Sequence, residues 1–207
     1  MVVSSLSLSL ASTTLSNRLN HVPHSTYTTK PAAFSSQTII TCSRDATFSE
    51  DKIPQNYEAF VDLADGYTYY HPSDWREFDF TGHDSAFKDR YLQLQNVRVS
   101  FIPTNKKDIH DLGPMEEVVA NLVNHVYSAP TQIADVFDMQ ERTVGGKNYY
   151  TFEYTLTSPN FSRAAFATIA IGNGRYYTLI VGANERRWRR VRNKLKVVAD
   201  SFKVLDI

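Results

Sequence analysis

The stretch that decides the fold is Asp65-Gly66-Tyr67-Thr68-Tyr69-Tyr70-His71-Pro72-Ser73-Asp74-Trp75-Arg76-Glu77-Phe78. It opens with an Asp-Gly turn, because glycine accepts positive φ angles without a steric cost. The aromatic run at residues 67–70 is typical of a half-buried strand. Pro72 ends that strand because it has no N–H to give to a ladder. Trp75 and Phe78 then need burial, so the stretch predicts a strand, a sharp corner and an aromatic plug against a sheet.

Length and composition indicate one globular domain with an extension. The chain has 207 residues, of which 42% are hydrophobic and 13% aromatic, enough to bury one core. Three of its 22 basic residues, Arg18, Lys30 and Arg44, fall in residues 1–44, which hold no acid. The rest has 19 basic and 22 acidic residues, so a nucleic-acid partner is not expected. Cys42 is the only cysteine, which excludes an internal disulfide and a cysteine metal site.

The N-terminal region is expected to be a targeting segment. Residues 1–44 are rich in Ser and Thr and lack acids, which predicts a disordered chloroplast transit peptide; a Ser/Thr-rich tail without a targeting role is the alternative. Residues 45–56 are polar and contain Pro54, which indicates a linker, and residues 57–207 form the predicted domain. No run of about 18 apolar residues exists, so no transmembrane span is predicted.

Alternating and aromatic runs predict an antiparallel sheet. Residues 57–63 and 96–102 are expected to be strands, the second stopped by Pro103, with a polar loop at 79–89 between them. Four further runs are joined by short glycine-containing turns, which makes their strands antiparallel neighbours. They cover residues 139–144, 147–155, 161–171 and 175–181.

Two helices complete the pattern. Gly113-Pro114 precedes a stripe of Met115, Val118 or Val119, Leu122 and Val126 at three- and four-residue spacing. A terminal helix begins after Asn184, a good N-cap, and its apolar stripe consists of Trp188, Val191, Leu195, Val198 and Phe202. Strand runs with one central and one terminal helix predict an α+β fold with helices packed on a mostly antiparallel sheet.

Several motifs resemble those of one known family. Asp65-Gly66-Tyr67, followed by Tyr70-His71-Pro72-Ser73-Asp74-Trp75, resembles the opening motif of the PsbP family. Residues 97–103, the 145–150 hairpin and the helix end at 197–202 look like its other landmarks, in the same order. The resemblance covers residues 57–207 and implies an α-β-α sandwich, the PsbP-like domain.

Within that family, residues 75–80 and 183–188 look like the corresponding segments of the PsbP-like lumenal subunits of the chloroplast NAD(P)H dehydrogenase-like complex. The resemblance implies a non-enzymatic, extrinsic protein on the lumenal side of the thylakoid, with a structural or assembly role in cyclic electron flow around photosystem I. One alternative is an accessory protein of the photosystem II oxygen-evolving complex, with calcium associated. Another is a small-molecule or ion-binding lumenal protein, which would need a formed pocket or ligand cage.

The expected location in the thylakoid lumen has an alternative. Lumenal members of the family normally have a second, apolar signal after the transit peptide. The sequence has no apolar run of about 7–15 residues there, so the stroma is the alternative to the expected lumen.

The terminal helix supplies the candidate partner contacts. Arg186, Arg187, Trp188 and Arg190 form a dense basic and aromatic cluster, and arginine and tryptophan are enriched at protein interfaces. The partner expected from the resemblance is a thylakoid membrane protein complex. The alternative is a solvated helix face around an apolar stripe.

Metal and catalytic signals are weak. His83 with Asp84 and Asp108 with His110 are candidate metal ligands, but they lie in separate loops, where solvated side chains are the ordinary reading. Calcium enters only through the family, and no other cofactor is expected. The sequence has no Gly-x-Ser-x-Gly elbow, no phosphate-binding loop and no Gly-x-Gly-x-x-Gly fingerprint, so no enzyme activity is expected.

Overall fold

The computed structural model describes residues 52–207. The expected transit peptide at 1–44 and residues 45–51 of the expected linker lie outside the described residues. No helix in the described range is long and apolar enough to cross a membrane. The strands are β1 Tyr57–Asp62, β2 Tyr67–Pro72, β3 Arg76–Glu77, β4 Ser85–Lys88, β5 Asn96–Pro103, β6 Ile133–Val144, β7 Lys147–Ser158, β8 Phe161–Gly172, β9 Arg175–Asn184 and β10 Lys203–Val204, and the α-helices are α1 Met115–Asn121 and α2 Glu185–Ser201.

A seven-stranded antiparallel sheet is the centre of the fold, in the order β3-β4-β5-β9-β8-β7-β6. Strands β6 to β9 are consecutive hairpins, as the short turns predicted. Gly145 and Gly146 have φ angles of 58° and 74°, and Asn173 and Gly174 have 52° and 68°. Two successive positive φ angles suit the twist of a two-residue hairpin, so the glycines and asparagine of these turns fix the register.

One face of the large sheet is covered by α2 and by a small sheet, β1-β2-β10. Tyr67 and Tyr69 of β2 are fully buried there, with parallel rings 6.2 Å apart, and Trp75 is 4% exposed beside them. Fully burying a large side chain contributes roughly 1.5–3 kcal/mol, so this aromatic layer is a main source of stability. The predicted strand, corner and aromatic plug are confirmed, although Phe78 is only half-buried.

The opposite face is covered by α1 and the helical turns beside it, with Ile109, Val119 and Val123 packed on residues of β7, β8 and β9. Helices therefore lie on both faces of one sheet. The predicted α+β fold, an α-β-α sandwich with a mostly antiparallel sheet, is confirmed.

The helix at 115–126 departs from the predicted stripe. After α1 the chain forms a π-helical turn, Leu122–Tyr127, in which Ser128 N–H donates to the Val123 carbonyl, five residues back. The wider turn moves the apolar stripe by one residue, so Val123 is fully buried and Val126 is 64% exposed. The prediction that Val126 faces the core was wrong.

Several strand segments were also missed, among them the two-residue strands β3 and β10. Residues 79–89, predicted as a loop, contain β4, whose Ser85, Ala86 and Phe87 are buried against β5. Strand β6 begins six residues earlier than expected, and a register shift between Val136 and Asp138 leaves Phe137 exposed. Strand β4 is too short to show a clear alternation of polar and apolar residues, and the bulge in β6 interrupts the alternation there.

Candidate docking surface

Helix α2 holds the candidate partner contacts. It begins after Asn184, whose side-chain oxygen accepts a hydrogen bond from Arg186 N–H at 3.0 Å, as predicted for an N-cap. Its apolar stripe is buried on the large sheet, which confirms the predicted spacing; the buried residues are Trp188, Val191, Leu195, Val198 and Ala199, followed by Phe202 at the helix end. The basic side chains therefore lie along the rest of the helix.

Those basic side chains fall into two groups. Three of them, in the C-terminal half, are held by acids of the same domain, the contacts being Arg192 with Glu153, Lys194 with Asp74, and Lys196 with Asp200. These pairs fasten α2 to the sheet and to the corner after β2, or brace the helix along its own surface. These three charges therefore stabilise the folded domain.

The second group is different. Arg186, Arg187, Arg189 and Arg190 are exposed and form no ion pair within residues 52–207; we call these four residues the arginine patch. They lie in the first two turns of α2, where the helix dipole is positive and disfavours cations. Apart from Glu185 in the same first turn, this end of the helix therefore presents an exposed positive surface.

Trp188 does not belong to this surface. Its side chain is 8% exposed, its ring lies 5.1 Å from that of Phe166, and its Nε1 donates a hydrogen bond to Glu153 Oε1 at 2.6 Å. The prediction that Trp188 contacts a partner is therefore corrected, because its indole is in the core. Arg189, which the sequence reasoning left out of the candidate contacts, takes a place in the patch.

Glu153 is the buried acid that organises the inner side of α2. It is 6% exposed on β7 and accepts hydrogen bonds from Arg192 Nε at 2.9 and 3.0 Å as well as from Trp188. Burial alone would raise the pKa of Glu153, but the hydrogen bonds from Arg192 and Trp188 outweigh it and lower the pKa below the ordinary value. A negative charge is therefore stable inside the sandwich.

The candidate metal ligands His83 and Asp84 line the same cavity but make different contacts. Asp84 is brought together with Asp62 and Asp65, their carboxylate oxygens lying within 4.8 Å of one another. The His83 ring instead packs on Phe80 at 4.7 Å. Burial raises the pKa of Asp84, and the neighbouring aspartates raise it further, while a hydrogen bond from Tyr67 opposes them. The sequence signal for this grouping was the Asp62-x-x-Asp65 spacing before the Gly66 turn.

The carboxylates of this acidic group also make contacts within the protein. Asp65 forms an ion pair with Arg175 at 2.6 Å, and Asp62 accepts hydrogen bonds from the N–H groups of Ala64 and Asp65 at 2.9 and 2.8 Å. Each carboxylate already has a donor from the protein. Calcium sites usually have about six to eight oxygen ligands, and this group supplies three carboxylates toward that number.

The other predicted pair, Asp108 and His110, does come together. His110 Nδ1 lies 2.7 Å from Asp108 Oδ1, and its Nε2 lies 2.6 Å from Glu141 Oε1. The hydrogen bond to Glu141, helped by the charges of both acids, raises the pKa of His110. Both imidazole nitrogens of His110 therefore face a carboxylate oxygen, so Asp108 and His110 form an ion-pair cluster with Glu141 on the surface of the domain.

We expect Glu141→Gln to lower the pKa of His110, since it removes the strongest cause of the rise. The measurement is an NMR titration of the imidazole resonances, with Glu58→Gln, a distant exposed substitution, as the control. Because the folded pKa is raised, the small stabilisation from this contact is present below the unfolded pKa and is lost as the pH rises through the folded value. An unchanged titration in Glu141→Gln would contradict the assignment.

Comparison with known proteins identifies the family. The PsbP family profile matches residues 55–204. The chain belongs to the PsbP family.

Individual PsbP relatives extend this result. The chain is 64% identical over 171 residues to photosynthetic NDH subunit of lumenal location 1, chloroplastic, from Arabidopsis thaliana, covering 82% of this chain and 72% of the relative. It is 38% identical over 150 residues to PsbP-like protein 1, chloroplastic, from the same plant, covering 72% and 65%. The solution structure of cyanobacterial PsbP (CyanoP) from Synechocystis sp. PCC 6803 superposes with a TM-score of 0.60 at 26% identity, covering 72% of this chain and 92% of that one.

The PsbP motifs seen in the sequence have clear places in the fold. The opening motif forms β2 and the corner that buries Trp75, and the 145–150 hairpin joins β6 to β7. These are packing elements. The arginine patch and a groove on the opposite face of the sheet are features of the described domain that these packing elements do not explain.

Proposed function

We propose that this PsbP-family chain is a non-catalytic, extrinsic subunit on the lumenal side of the thylakoid membrane. Its role is structural or in assembly, within the NAD(P)H dehydrogenase-like complex that supports cyclic electron flow around photosystem I. The observation that carries the proposal is the arginine patch, four exposed arginines that form no ion pair in the described part of the chain. The 64% identity to a chloroplast protein named as a lumenal NDH subunit supports the choice of complex.

The patch is suited to an acidic surface of a partner protein. Arginine presents a planar fork of donors that matches a carboxylate, and it is more weakly hydrated than lysine, so it contributes well to interfaces. Arg186 and Arg190 are four residues apart and Arg187 and Arg190 three apart, which places them on neighbouring parts of the helix surface. The rigid backing of α2 by Trp188 and Glu153 holds this surface in place.

The contact between Tyr67 and Asp84 supports the proposal that the chain is not an enzyme. Tyr67 donates a hydrogen bond to Asp84, a pairing that could move a proton, but Tyr67 is fully buried and its hydroxyl also contacts Ser85 at 2.8 Å. A substrate therefore has no access to that hydroxyl. The photosystem II alternative has less support, since the relative matched at 64% identity is named as an NDH subunit.

Native-gel separation of solubilised thylakoids, probed with an antibody to this protein, tests the proposal. We expect migration with the large dehydrogenase–photosystem I band and loss of the protein when that complex is absent. Protection from added protease in intact thylakoids tests the lumenal side. Migration with photosystem II, or recovery as free protein in the stroma, would overturn the assignment.

A further inference from the structure

A groove lies on the α1 face of the sheet, between the ends of β5 and β9 and the π-helical turn. Two adjoining cavities, of about 490 and 330 Å³, share Ile102, Leu122 and Tyr176 in their lining. Both volumes are in the range of about 300–1,000 Å³ that is typical of small-molecule sites. The acidic cluster and the arginine patch are not part of this groove.

The floor of the groove follows from strand register. On β5, Arg98, Ser100 and Ile102 share one face, because alternate residues of a strand point the same way. Each is paired across the sheet with a residue of β9, the pairs being Arg98 with Ile180, Ser100 with Thr178, and Ile102 with Tyr176. The floor is therefore polar at the Arg98 end and apolar towards Ile102.

The wall of the groove is the π-helical turn. The wider turn that exposes Val126 also carries Tyr127 into the lining of the smaller cavity, beside Arg98 and Tyr176. π turns are rare overall, but those that occur are often found at functional sites. Each one changes the direction of a side chain and disturbs the regular helix geometry. Here the side chain that gains a new position is a tyrosine whose hydroxyl is buried.

Three buried polar atoms in this smaller cavity have no hydrogen bond. They are Nε of Arg98 and the hydroxyl oxygens of Tyr127 and Tyr176. The hydroxyls of Tyr127, Tyr176 and Thr178 lie close enough to interact with one another, so part of this hydrogen-bonding capacity is met within the group. A buried polar group without a partner costs about 1–3 kcal/mol, so Arg98 Nε, with any hydroxyl hydrogen that this group leaves unpaired, is a donor that a ligand would satisfy.

The charge in this region is positive and uncompensated. Neither Arg98 nor Arg163 forms an ion pair within the described residues; Arg163 donates to the neutral Asn96 at 2.9 Å, and Arg98 lies 5.6 Å from the ring of Phe80. Burial, together with the charge of Arg98, lowers the pKa of Arg163 to about 10. An anion near Arg98 would offset the repulsion between the two arginines.

The rest of the groove is apolar. The larger cavity is lined mainly by Ile102, Pro103, Leu112, Val118 and Leu122, and its one acid is Glu117. At the rim, Ile102 is 62% exposed, which leaves apolar surface uncovered. An anionic head is therefore repelled from the Glu117 end and attracted to the Arg98 end, with an apolar body lying between them.

We propose that this groove binds a small organic acid, with its carboxylate at Arg98, Tyr127 and Tyr176 and its apolar or aromatic body along Ile102 and Leu122. One guanidinium and two hydroxyl donors suit a singly charged, planar carboxylate, whereas a phosphate dianion would require more cations. The site is independent of membership in the dehydrogenase-like complex.

The test uses the full ¹⁵N-labelled chain, 3-phenylpropanoate as the probe and 3-phenylpropanamide as its neutral match. We expect amide shift changes confined to residues 98–102, 122–127 and 176–180, and at least roughly tenfold weaker binding of the amide, as expected for loss of a charge-assisted contact. Shifts scattered over the surface, equal binding of the two probes, or no shift up to about 10 mM would overturn the proposal.

Variants separate the site from general effects. Arg98→Gln should weaken binding of 3-phenylpropanoate about tenfold, and Tyr127→Phe should weaken it by a similar factor, since each removes one hydrogen bond to a charged group. Arg187→Gln, on the opposite face, should leave the affinity unchanged. If Arg98→Gln does not fold, Tyr127→Phe and Tyr176→Phe still decide the matter, and unchanged affinity in both would contradict the site.

Discussion

Replacing Arg186, Arg187 and Arg190 by glutamine is expected to release the chain from its membrane complex while leaving the domain folded. Interface arginines that pair with acids commonly contribute about 1–2 kcal/mol each, so loss of three corresponds to about 3 kcal/mol, or roughly a 150-fold weaker affinity. The arginines form no ion pair in the described domain. Their removal also relieves repulsion at the positive end of the α2 dipole, so the melting temperature should not fall.

The readout is co-migration on a native gel, with circular dichroism melting to confirm folding. A triple variant of Arg76, Arg90 and Lys107 to glutamine is the matched control, because it removes the same charge from exposed positions elsewhere on the domain. The control should remain in the complex. Association of the wild type should also weaken with added salt, since exposed charges are screened within about 10 Å at 0.1 M salt. Retention of the arginine variant in the complex would exclude the patch as the docking surface.

Replacing Glu153 by alanine is expected to lower the free energy of unfolding by about 2–4 kcal/mol. The change leaves the Trp188 indole N–H without an acceptor inside the sandwich and removes the partner of Arg192. Arg192 has a side chain that is 37% exposed and can turn to water, which limits the loss. Urea unfolding measures the effect, and Glu58→Ala, an exposed glutamate on β1, is the matched control with a change near zero.

The pH dependence of the same pair has a definite sign. Because the pKa of Glu153 is lower in the folded protein than in the unfolded chain, its stabilisation is complete above the unfolded pKa and is lost as the pH falls through the folded value. The stability difference between the wild type and Glu153→Ala should therefore be constant near neutral pH and shrink in acid. A difference that grows on acidification would contradict the role given to this carboxylate.

Local patterns predicted most of the fold. The hairpins around Gly145-Gly146 and Asn173-Gly174 and the stripe of α2 depend on neighbouring residues, which the sequence displays directly. The π turn was not predictable in this way, because no proline or glycine marks Leu122–Tyr127 and one extra residue per turn shifts the periodicity. Strand β4 is too short for alternation to be visible.

The candidate site was predictable only in part. Helical spacing placed Trp188 inside, while the enrichment of tryptophan at interfaces placed it outside, and the spacing proved decisive because the whole stripe is buried. The division of the basic residues into paired and unpaired groups depends on Glu153 and Asp74, which are 39 and 120 residues away along the chain. Contacts between residues so far apart in the chain depend on the order of the strands in the sheet. Local sequence patterns do not reveal that order.

The small sheet has a consequence for the order of folding. Its central strand, β2, is paired on one side with β1 and on the other with β10, where Val204 lies opposite Tyr67. The β6–β9 hairpins can form as soon as each is synthesised, because their contacts are local. The aromatic layer around Tyr67 cannot close fully until residue 204 has been synthesised, so a chain that is still being made leaves these aromatic side chains open to chaperones.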